Sequence, residues 1–548
     1  MSNPPTNRTD SSRGGSAAAL GRFVEWAGDR LNPILVKETR QALKSRQFTL
    51  WFVLLLAACW VTTIGAVAVI GPSIYYVSAG GYLLYAYFVV LTLPLVMVVP
   101  FSAYRSLSSE QEENTRDLLE VSRLTTRQII NGKLASAALQ IVIYLSALAP
   151  CIAFTYLLRG VDVSLILLLI GYAVLASFGL SAVGLLIAAL TKQKYTQVVL
   201  SVMFAGLLFS AFTGMIAGAE VLIWYDRDEL RSGQFWGVQL SLLLLYLTTY
   251  AIVYQLATAA TTFTSANRST GVRVALVVQQ TVFIAWCTTV LPAFVVREKL
   301  LFLTYAFGCA AVYWCVVGAF LTGEPTVMSQ RVRRSLPQSL LGRVLLSWFN
   351  PGAGSGYVFT ISNLALLALL ASLGCFTTHS AGVPLGTLGD VVFVIVLMLG
   401  YAIAYLGIGR LAIYGLRRLT EVSLLGCFLI QVLFVLGGTC LPYLVQTLTN
   451  RARTLDGSLF SMTSPYWNVS RVLDGGLNGT TRFNLAVALG VVALVVFVVN
   501  LTLAAREAQQ VRVAKPKRVI EDDREQQPQP ETTPTNPWGD TPATEGNA

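Results

Sequence analysis

Residues 164–190 read SLILLLIGYAVLASFGLSAVGLLIAAL, a run of 27 residues without one charged side chain. An α-helix rises about 1.5 Å per residue, so roughly 20 apolar residues cross the hydrocarbon layer of a membrane. This run is long enough to do so as a single helix. An apolar stretch of this length is typical of a transmembrane span rather than of a buried helix in a soluble protein.

Runs of this kind recur along the 548 residues. Apolar side chains make up 55% of the chain and charged ones 12%, about half the charged fraction of a soluble domain. The predicted spans are residues 49–70, 82–103, 134–158, 164–190, 196–218, 236–258, 274–296, 300–322, 357–376, 390–409, 422–447 and 483–504. They contain no Lys, Arg or Glu, and their one Asp is Asp390 at the edge of the tenth. The sequence therefore predicts an all-α polytopic membrane protein with about twelve transmembrane helices.

The basic residues are distributed unevenly between the two sides of these spans. The tails and the loops on the same side as the N-terminus hold 30 of the 39 Lys and Arg residues, and the other side holds 9. The positive-inside rule assigns the basic side to the cytoplasm. We therefore expect a multi-pass protein of the plasma (inner) membrane with both termini cytoplasmic. The basic residues behind the net charge of +11 are then expected to lie near anionic lipid headgroups rather than on nucleic acid.

The chain divides into tails and two sets of spans. Residues 1–30 and 506–548 are polar and are predicted to be disordered cytoplasmic tails. Loops of similar length recur at matching positions among the spans. This spacing predicts two six-helix domains, 31–262 and 263–505, of which the first resembles a permease in the features described next.

A basic segment, residues 31–46, precedes the first span and reads LNPILVKETRQALKSR. Apolar Ile34 and Leu35 alternate there with basic Lys37 and Arg40. The pattern is typical of an amphipathic helix that lies in the headgroup layer. A basic flank that only sets the topology is the alternative.

The loop after the second span, residues 104–133, is the polar segment with the strongest local signals. Ser109 and Glu112 match a capping box, which predicts a short helix that begins there. Thr125 and Gln128 repeat the signal before the third span. A short acidic helix of this kind suits contact with a cytoplasmic partner, and a solvated loop is the alternative.

Residues of this loop resemble the cytoplasmic segment of type-2 ABC exporter permeases. The similar residues are Glu110-Gln111-Glu112-Glu113, Thr115, Leu118-Leu119, Thr125, Ile129-Ile130 and Gly132-Lys133. The chain has Leu124-Thr125-Thr126 where the family usually has a Pro, and many members have six spans. The resemblance extends over the first six spans and implies a re-entrant external hairpin, here residues 220–234.

The resemblance implies the permease subunit of an ABC exporter, which moves an unidentified substrate with ATP hydrolysed by a separate nucleotide-binding subunit. The implied contacts with that ATPase are Ser109, Glu110, Glu112, Glu113, Thr115, Arg116, Leu118 and Leu119. The charged residues would make polar contacts, and the Leu pair would seat the helix. A second permease chain is a further partner that the resemblance allows. The sequence has no G-x-x-x-x-G-K-[ST] loop, so we expect neither an enzyme nor a bound cofactor in this chain.

An ion-coupled secondary transporter is the main alternative, because that class also has many members with twelve spans. Such transporters generally need ionisable groups within the membrane. The predicted spans and their edges offer amides instead: Gln140, Gln239, Gln255, Gln279, Gln280, Gln431 and Asn500. Amides in spans most often hydrogen-bond neighbouring helices. A membrane enzyme or metal site is disfavoured, because His379 has no partner at ligand spacing and the acidic Asp226, Asp228 and Glu229 are typical of a solvated loop.

The external loop before the last span contains SPYWNVSRVL at residues 464–473. Tyr466 and Trp467 have the position of interfacial anchors. We expect this segment to lie flat on the outer leaflet, either as part of an exit gate or as an anchor alone.

Overall fold

The computed structural model describes residues 33–71, 80–112, 125–158, 160–190, 194–225, 227–263, 265–325, 329–334, 348–379, 385–449, 461–508, 518–519 and 521–522. Residues 1–30 and most of 506–548, the predicted tails, lie outside these ranges. The main helices are α1 Pro33–Lys44, α2 Arg46–Ile70, α3 Gly80–Thr92, α4 Val99–Glu112, α5 Thr126–Leu157, α6 Val163–Leu190, α7 Lys194–Ile223, α8 Arg227–Leu230, α9 Gly233–Thr261, α10 Thr270–Val290, α11 Val296–Leu321, α12 Gln330–Arg334, α13 Ala353–His379, α14 Leu385–Leu416, α15 Leu424–Thr449, α16 Pro465–Leu473 and α17 Gly479–Ala508.

Twelve helices within the described ranges are long and apolar enough to cross a membrane, by length and composition. Each overlaps one predicted span, so the prediction of an all-α polytopic membrane protein is confirmed. Many of these helices continue beyond the predicted bounds, because a helix need not end where its apolar run ends. The continuation brings Lys133, Arg273, Arg410 and Glu507 into long helices.

The second span runs through α3, a π-helical turn at Leu93–Val98 and α4. Pro94 lies in this turn, where its missing N–H and its ring disfavour regular α-helical bonding. Side chains on both sides of the turn are fully buried: Tyr87, Leu91, Leu95 and Val99. The second span is therefore buried among neighbouring helices at the level of this turn.

Contacts divide the chain into two compact units. Unit 1 comprises Met1–Thr264 and Arg268–Lys299, and unit 2 comprises Ser265–Asn267 and Leu300–Ala548. By contacts, the seventh span α10 groups with the first six, whereas the loop spacing divides the chain near residue 262. The functional division into two permease halves stays a prediction.

Polar side chains join helices within each unit. Gln431 of α15 donates to Thr322 Oγ1 at 3.1 Å, and Ser102 of α4 donates to Gln140 of α5 at 3.3 Å. Amides that make such bonds between helices are Gln140, Gln239, Gln279, Gln431 and Asn500. For these five, the predicted role in linking helices is confirmed.

Candidate functional site

The segment before the first span folds as helix α1 and packs against α5. Pro33 occupies its first position, where a missing N–H has no consequence for helix bonding. Ile34 and Glu38 are buried. The predicted amphipathic helix is therefore present, and it is attached to a membrane helix rather than serving only as a charged flank.

Lys133 of α5 is the centre of this attachment. Its side chain is 1% exposed, and its Nζ lies 3.0 Å from Glu38 Oε1 and 3.1 Å from Glu110 Oε1. Nζ also donates to the backbone oxygen and the hydroxyl of Ser106, each 3.2 Å away. Lys37 lies 3.7 Å from Glu110 at the exposed edge. A buried ammonium needs such partners because removing it from water costs on the order of several kcal/mol. We call these five residues the Lys133 cluster.

Side chains along α4 also contact the start of α7. Glu112 accepts a hydrogen bond from the amide of Gln197, and the Tyr104 hydroxyl donates to the Gln197 backbone oxygen at 3.4 Å. On the neighbouring α5, Asn131 accepts a hydrogen bond from Tyr254 of α9 at 2.8 Å. Side-chain bonds therefore connect four helices at the end that the charge distribution predicts to be cytoplasmic.

The residues predicted to contact an ATPase divide into two groups. Ser109, Glu110 and Glu112 lie in the last turn of α4. Ser109 donates back to the Ser106 oxygen at 3.3 Å, inside a helix that continues through Glu112. The prediction that a new helix begins at Ser109 is wrong, because the N–H groups that a cap would serve already lie within α4. The other group lies outside the described residues: Glu113, Thr115, Arg116, Leu118 and Leu119.

The second predicted capping box is confirmed at the start of α5. The Gln128 N–H donates to Thr125 Oγ1 at 3.4 Å, and the Thr125 N–H donates to Gln128 Oε1 at 2.9 Å. Residues 113–124 thus connect two fixed points, the end of α4 and the capped start of α5.

The connection between α7 and α9, predicted to be external, differs from the expectation that the resemblance gave. α7 continues to Ile223, α9 begins at Gly233, and the short helix α8 lies between them. The connection of nine residues, 224–232, is too short to enter a membrane and return. The re-entrant hairpin predicted at 220–234 is therefore wrong.

Unit 2 contains a short segment that does not span, a 3₁₀ turn at Ser461–Thr463 followed by α16. We call residues 461–473 the re-entrant segment. The Thr463 hydroxyl donates to the Gly438 backbone oxygen at 3.1 Å. Gly438 lies 11 residues before the end of α15, about 16 Å along its axis. The segment thus reaches the level of the middle of a spanning helix, and the prediction that it lies flat at the outer surface is wrong.

Side chains satisfy the backbone oxygens of residues 461–464. Tyr401 and Tyr405 of α14 donate to the oxygens of residues 462 and 463, at 2.5 and 2.6 Å. Asn468 of α16 donates to the oxygens of residues 461 and 464, at 2.9 and 2.8 Å. It also donates to the Tyr401 hydroxyl at 2.9 Å. Non-helical backbone at membrane depth is stable only where protein groups or water satisfy its polar atoms. The three side chains meet that requirement.

Unit 2 also has a buried cation, Arg410 of α14, which is 2% exposed. Its guanidinium donates to the backbone and side-chain oxygens of Asn500, at 3.0 and 2.9 Å, and to Glu507 Oε1 at 2.8 Å. Glu507 Oε2 accepts the Gly354 N–H at 2.7 Å. The pair joins α13, α14 and α17. The sequence pattern missed it because Arg410 and Glu507 lie just beyond the predicted spans.

The residues considered for enzyme chemistry are dispersed. Glu229 of α8 accepts a hydrogen bond from Tyr225, and this bond raises the pKa of the phenol. Asp228 lies on α8 as well, and Asp226 lies outside the described residues. His379 is the last residue of α13. In the described part of the chain, no three His, Cys, Asp or Glu residues come together in a way that could hold a metal ion.

Comparisons with known proteins leave the family open. No protein-family model, no curated protein and no solved structure matches the chain. The functional interpretation therefore depends on the Lys133 cluster, the re-entrant segment and the resemblance in residues 104–133.

Proposed function

We propose that the chain is the transmembrane permease subunit of an ABC exporter, driven by a separate nucleotide-binding subunit. The observation that carries the proposal is the Lys133 cluster, which attaches the end of α4 to α5 and α1. Residues 113–124, where the resemblance places most of the ATPase contacts, begin directly after this end.

A force applied to residues 113–124 has a short route into the membrane helices. Glu110, three residues before the segment, is paired with Lys133 of α5. Glu112, directly before it, is bonded to Gln197 of α7. α1 is attached to the same point through Glu38. Displacement of the segment therefore moves several helix ends together, as rigid-body alternation between two open states requires.

Glu110 and Glu112, the two predicted contacts with described carboxylates, differ in burial, and we assign them different roles. The Glu110 side chain is 12% exposed and paired with Lys133, so it positions the segment. Glu112 is exposed and adjoins the segment, so it is free to face a partner on its other side. The proposed contacts with the ATPase are then Glu112, Glu113, Thr115, Arg116, Leu118 and Leu119.

A co-purification experiment tests the proposal. The tagged chain, extracted in mild detergent, should retain an ATPase subunit that is identified by its phosphate-binding loop and by vanadate-sensitive hydrolysis. The double reversal Glu112→Lys with Glu113→Lys should abolish the association. The matched control reverses two external carboxylates, Asp228→Lys with Glu229→Lys, and should leave it intact. An intact complex in the first variant contradicts the coupling assignment.

The Arg410–Glu507 pair is the observation that favours the alternative of an ion-coupled secondary transporter. It places an ionisable pair inside long helices, beside the amide of Asn500. Proteoliposomes that contain the chain alone separate the two functions. Uptake driven by an imposed proton or sodium gradient supports the alternative, whereas transport that appears only with the ATPase and ATP supports the exporter.

The orientation is part of the proposal, and labelling from the two sides of the membrane tests it. Arg231 lies in the predicted external connection, and Thr420 lies in a predicted cytoplasmic loop. Both are exposed. In intact cells, a membrane-impermeant maleimide should label Arg231→Cys and spare Thr420→Cys. The reverse pattern contradicts the predicted topology.

A further inference from the structure

Unit 2 contains an apolar cavity of about 540 Å³ beside the re-entrant segment. Residues of α11, α14, α15 and α16 form its wall. The volume is within the range of about 300–1,000 Å³ that is typical of small-molecule sites. The cavity is therefore large enough to hold a ligand.

The cavity is elongated along the helices. Its wall on α11 extends from Gly308 to Ala319, which is about 16 Å of helix axis. On α14 it extends from Met398 to Leu406, about 12 Å. A slot of this shape fits an extended chain better than a compact ring system.

The Tyr401 and Tyr405 hydroxyls and the Gln431 amide nitrogen, which belong to the wall, are already bonded to protein. Tyr401 and Tyr405 donate to the re-entrant segment, and the Gln431 amide nitrogen donates to Thr322 and to the Leu406 backbone oxygen. A sugar, an ion or an amino acid would lose its hydration here without gaining equivalent bonds. The wall thus selects for an apolar ligand.

The Gln431 side-chain oxygen adds no accessible polar group to this wall. The residue is 2% exposed, and its Oε1 has no hydrogen-bond partner among the described residues. The amide orientation is defined, because the Leu406 backbone oxygen can only accept and must face Nε2. Oε1 lies against Gly409, which does not line the cavity, so a ligand in the cavity does not reach it.

We infer that this cavity binds the alkyl chain of a membrane amphiphile, with the re-entrant segment as one side of the site. Val435 and Leu436 line the cavity and are 40% and 53% exposed, so the slot opens at the surface of α15 that faces away from the protein. A lipid chain enters from that side without crossing water. The inference goes beyond the permease proposal and does not require the ATPase.

Photo-crosslinking in nanodiscs tests the site. The full chain is reconstituted with a phospholipid that carries a diazirine in its acyl chain, and the labelled peptides are identified by mass spectrometry. Labelling should fall on residues 308–319, 428–436 and 465–473, and excess unlabelled phospholipid or free fatty acid should compete. Val432→Trp, which fills the slot, should reduce this labelling at least tenfold. Leu433→Trp is the matched control, since Leu433 is 69% exposed and does not line the cavity.

The outcomes separate the inference from the proposed function. Labelling of the wild-type chain that is confined to outward-facing side chains, or that unlabelled lipid does not compete, overturns the inference whether or not the variants fold. Equal labelling of Val432→Trp and Leu433→Trp overturns it as well. If a free phospholipid headgroup without acyl chains competes, the binding depends on polar contacts, and the inference is overturned. None of these results bears on whether an ATPase co-purifies.

Discussion

Among the described residues, α1 in unit 1 and α16 in unit 2 are the longest helices that do not span, and the two are attached by opposite chemistry. In unit 1, α1 is attached by charges: Lys133 is paired with Glu38 and with Glu110. In unit 2, α16 and the turn before it are attached to α14 by neutral hydrogen bonds, donated by Tyr401 and Tyr405 to the turn and by Asn468 to the Tyr401 hydroxyl. The first attachment lies at a predicted cytoplasmic helix end, and the second at the level of mid-helix.

The difference follows from the cost of burying charge. At a helix end, water and lipid headgroups lie nearby, so a charged cluster with one exposed edge is tolerable. Near the middle of a span, burying an isolated charge costs far more free energy. Neutral donors satisfy backbone oxygens there without burying a charge. The chemistry of each attachment thus indicates its depth. This relation leads to four predictions, from the largest effect to the smallest.

Lys133→Met should have the largest effect. It leaves Glu38 and part of Glu110 without their buried cation, and breaking a buried pair costs about 3–5 kcal/mol. Hydrogen exchange should show loss of protection throughout residues 33–44, while residues 461–473 stay protected. Lys44→Met on the exposed side of α1 is the control and should change exchange little. If α1 kept its protection in Lys133→Met, the cluster would not be what attaches it.

Asn468→Ala should follow, with a cost of about 2–3 kcal/mol. The change removes three side-chain hydrogen bonds, to the backbone oxygens of residues 461 and 464 and to the Tyr401 hydroxyl, in a place that water reaches poorly. The two backbone oxygens keep only longer bonds of 3.3 Å from the N–H groups of residues 464 and 468. Exchange should rise in residues 461–473 and not in α1. Asn478→Ala, an exposed Asn outside α16, is the matched control. Equal exchange in the two variants would show that the segment is hydrated, contrary to the depth assigned to it.

The spans could be predicted from the sequence because a charge-free run of about 20 residues has few alternative structures. The cap at Thr125 could be predicted because its partner, Gln128, is three residues away. The partners of Lys133 could not, since Glu38 lies 95 residues earlier and neither residue is unusual within its own segment. Local patterns report local bonds, whereas the cluster depends on how the helices pack.

The re-entrant segment shows the same limit more strongly. Its sequence, with Tyr466 and Trp467, is that of an interfacial helix, and its depth is set by tyrosines about 60 residues away on α14. The hairpin predicted at 220–234 failed for a related reason. Glu220 reads as the start of a polar loop, yet it lies within α7, which continues to Ile223.

Tyr405→Phe tests a single neutral hydrogen bond of the attachment in unit 2. It removes the donor to the Thr463 oxygen and keeps the ring, so we expect a loss of about 1 kcal/mol in the stability of the re-entrant segment. Hydrogen exchange at residues 461–465 measures it. Tyr466→Phe, on an exposed ring of α16, is the control and should have no effect there. A larger loss than for Asn468→Ala would reverse the order of importance assigned to these donors.

Lys37→Gln should have the smallest effect, because the Lys37 side chain is 58% exposed and lies 3.7 Å from Glu110. Exposed pairs contribute about 0–1 kcal/mol, and salt screens them. Raising the salt concentration should therefore reduce the protection of α1 in the wild type and reduce it less in Lys37→Gln. The re-entrant segment, which neutral hydrogen bonds attach to α14, should show no salt dependence in either chain. A salt response at residues 461–473 would mean that an ionic contact contributes there, and the contrast between charged and neutral attachment would no longer separate the two units.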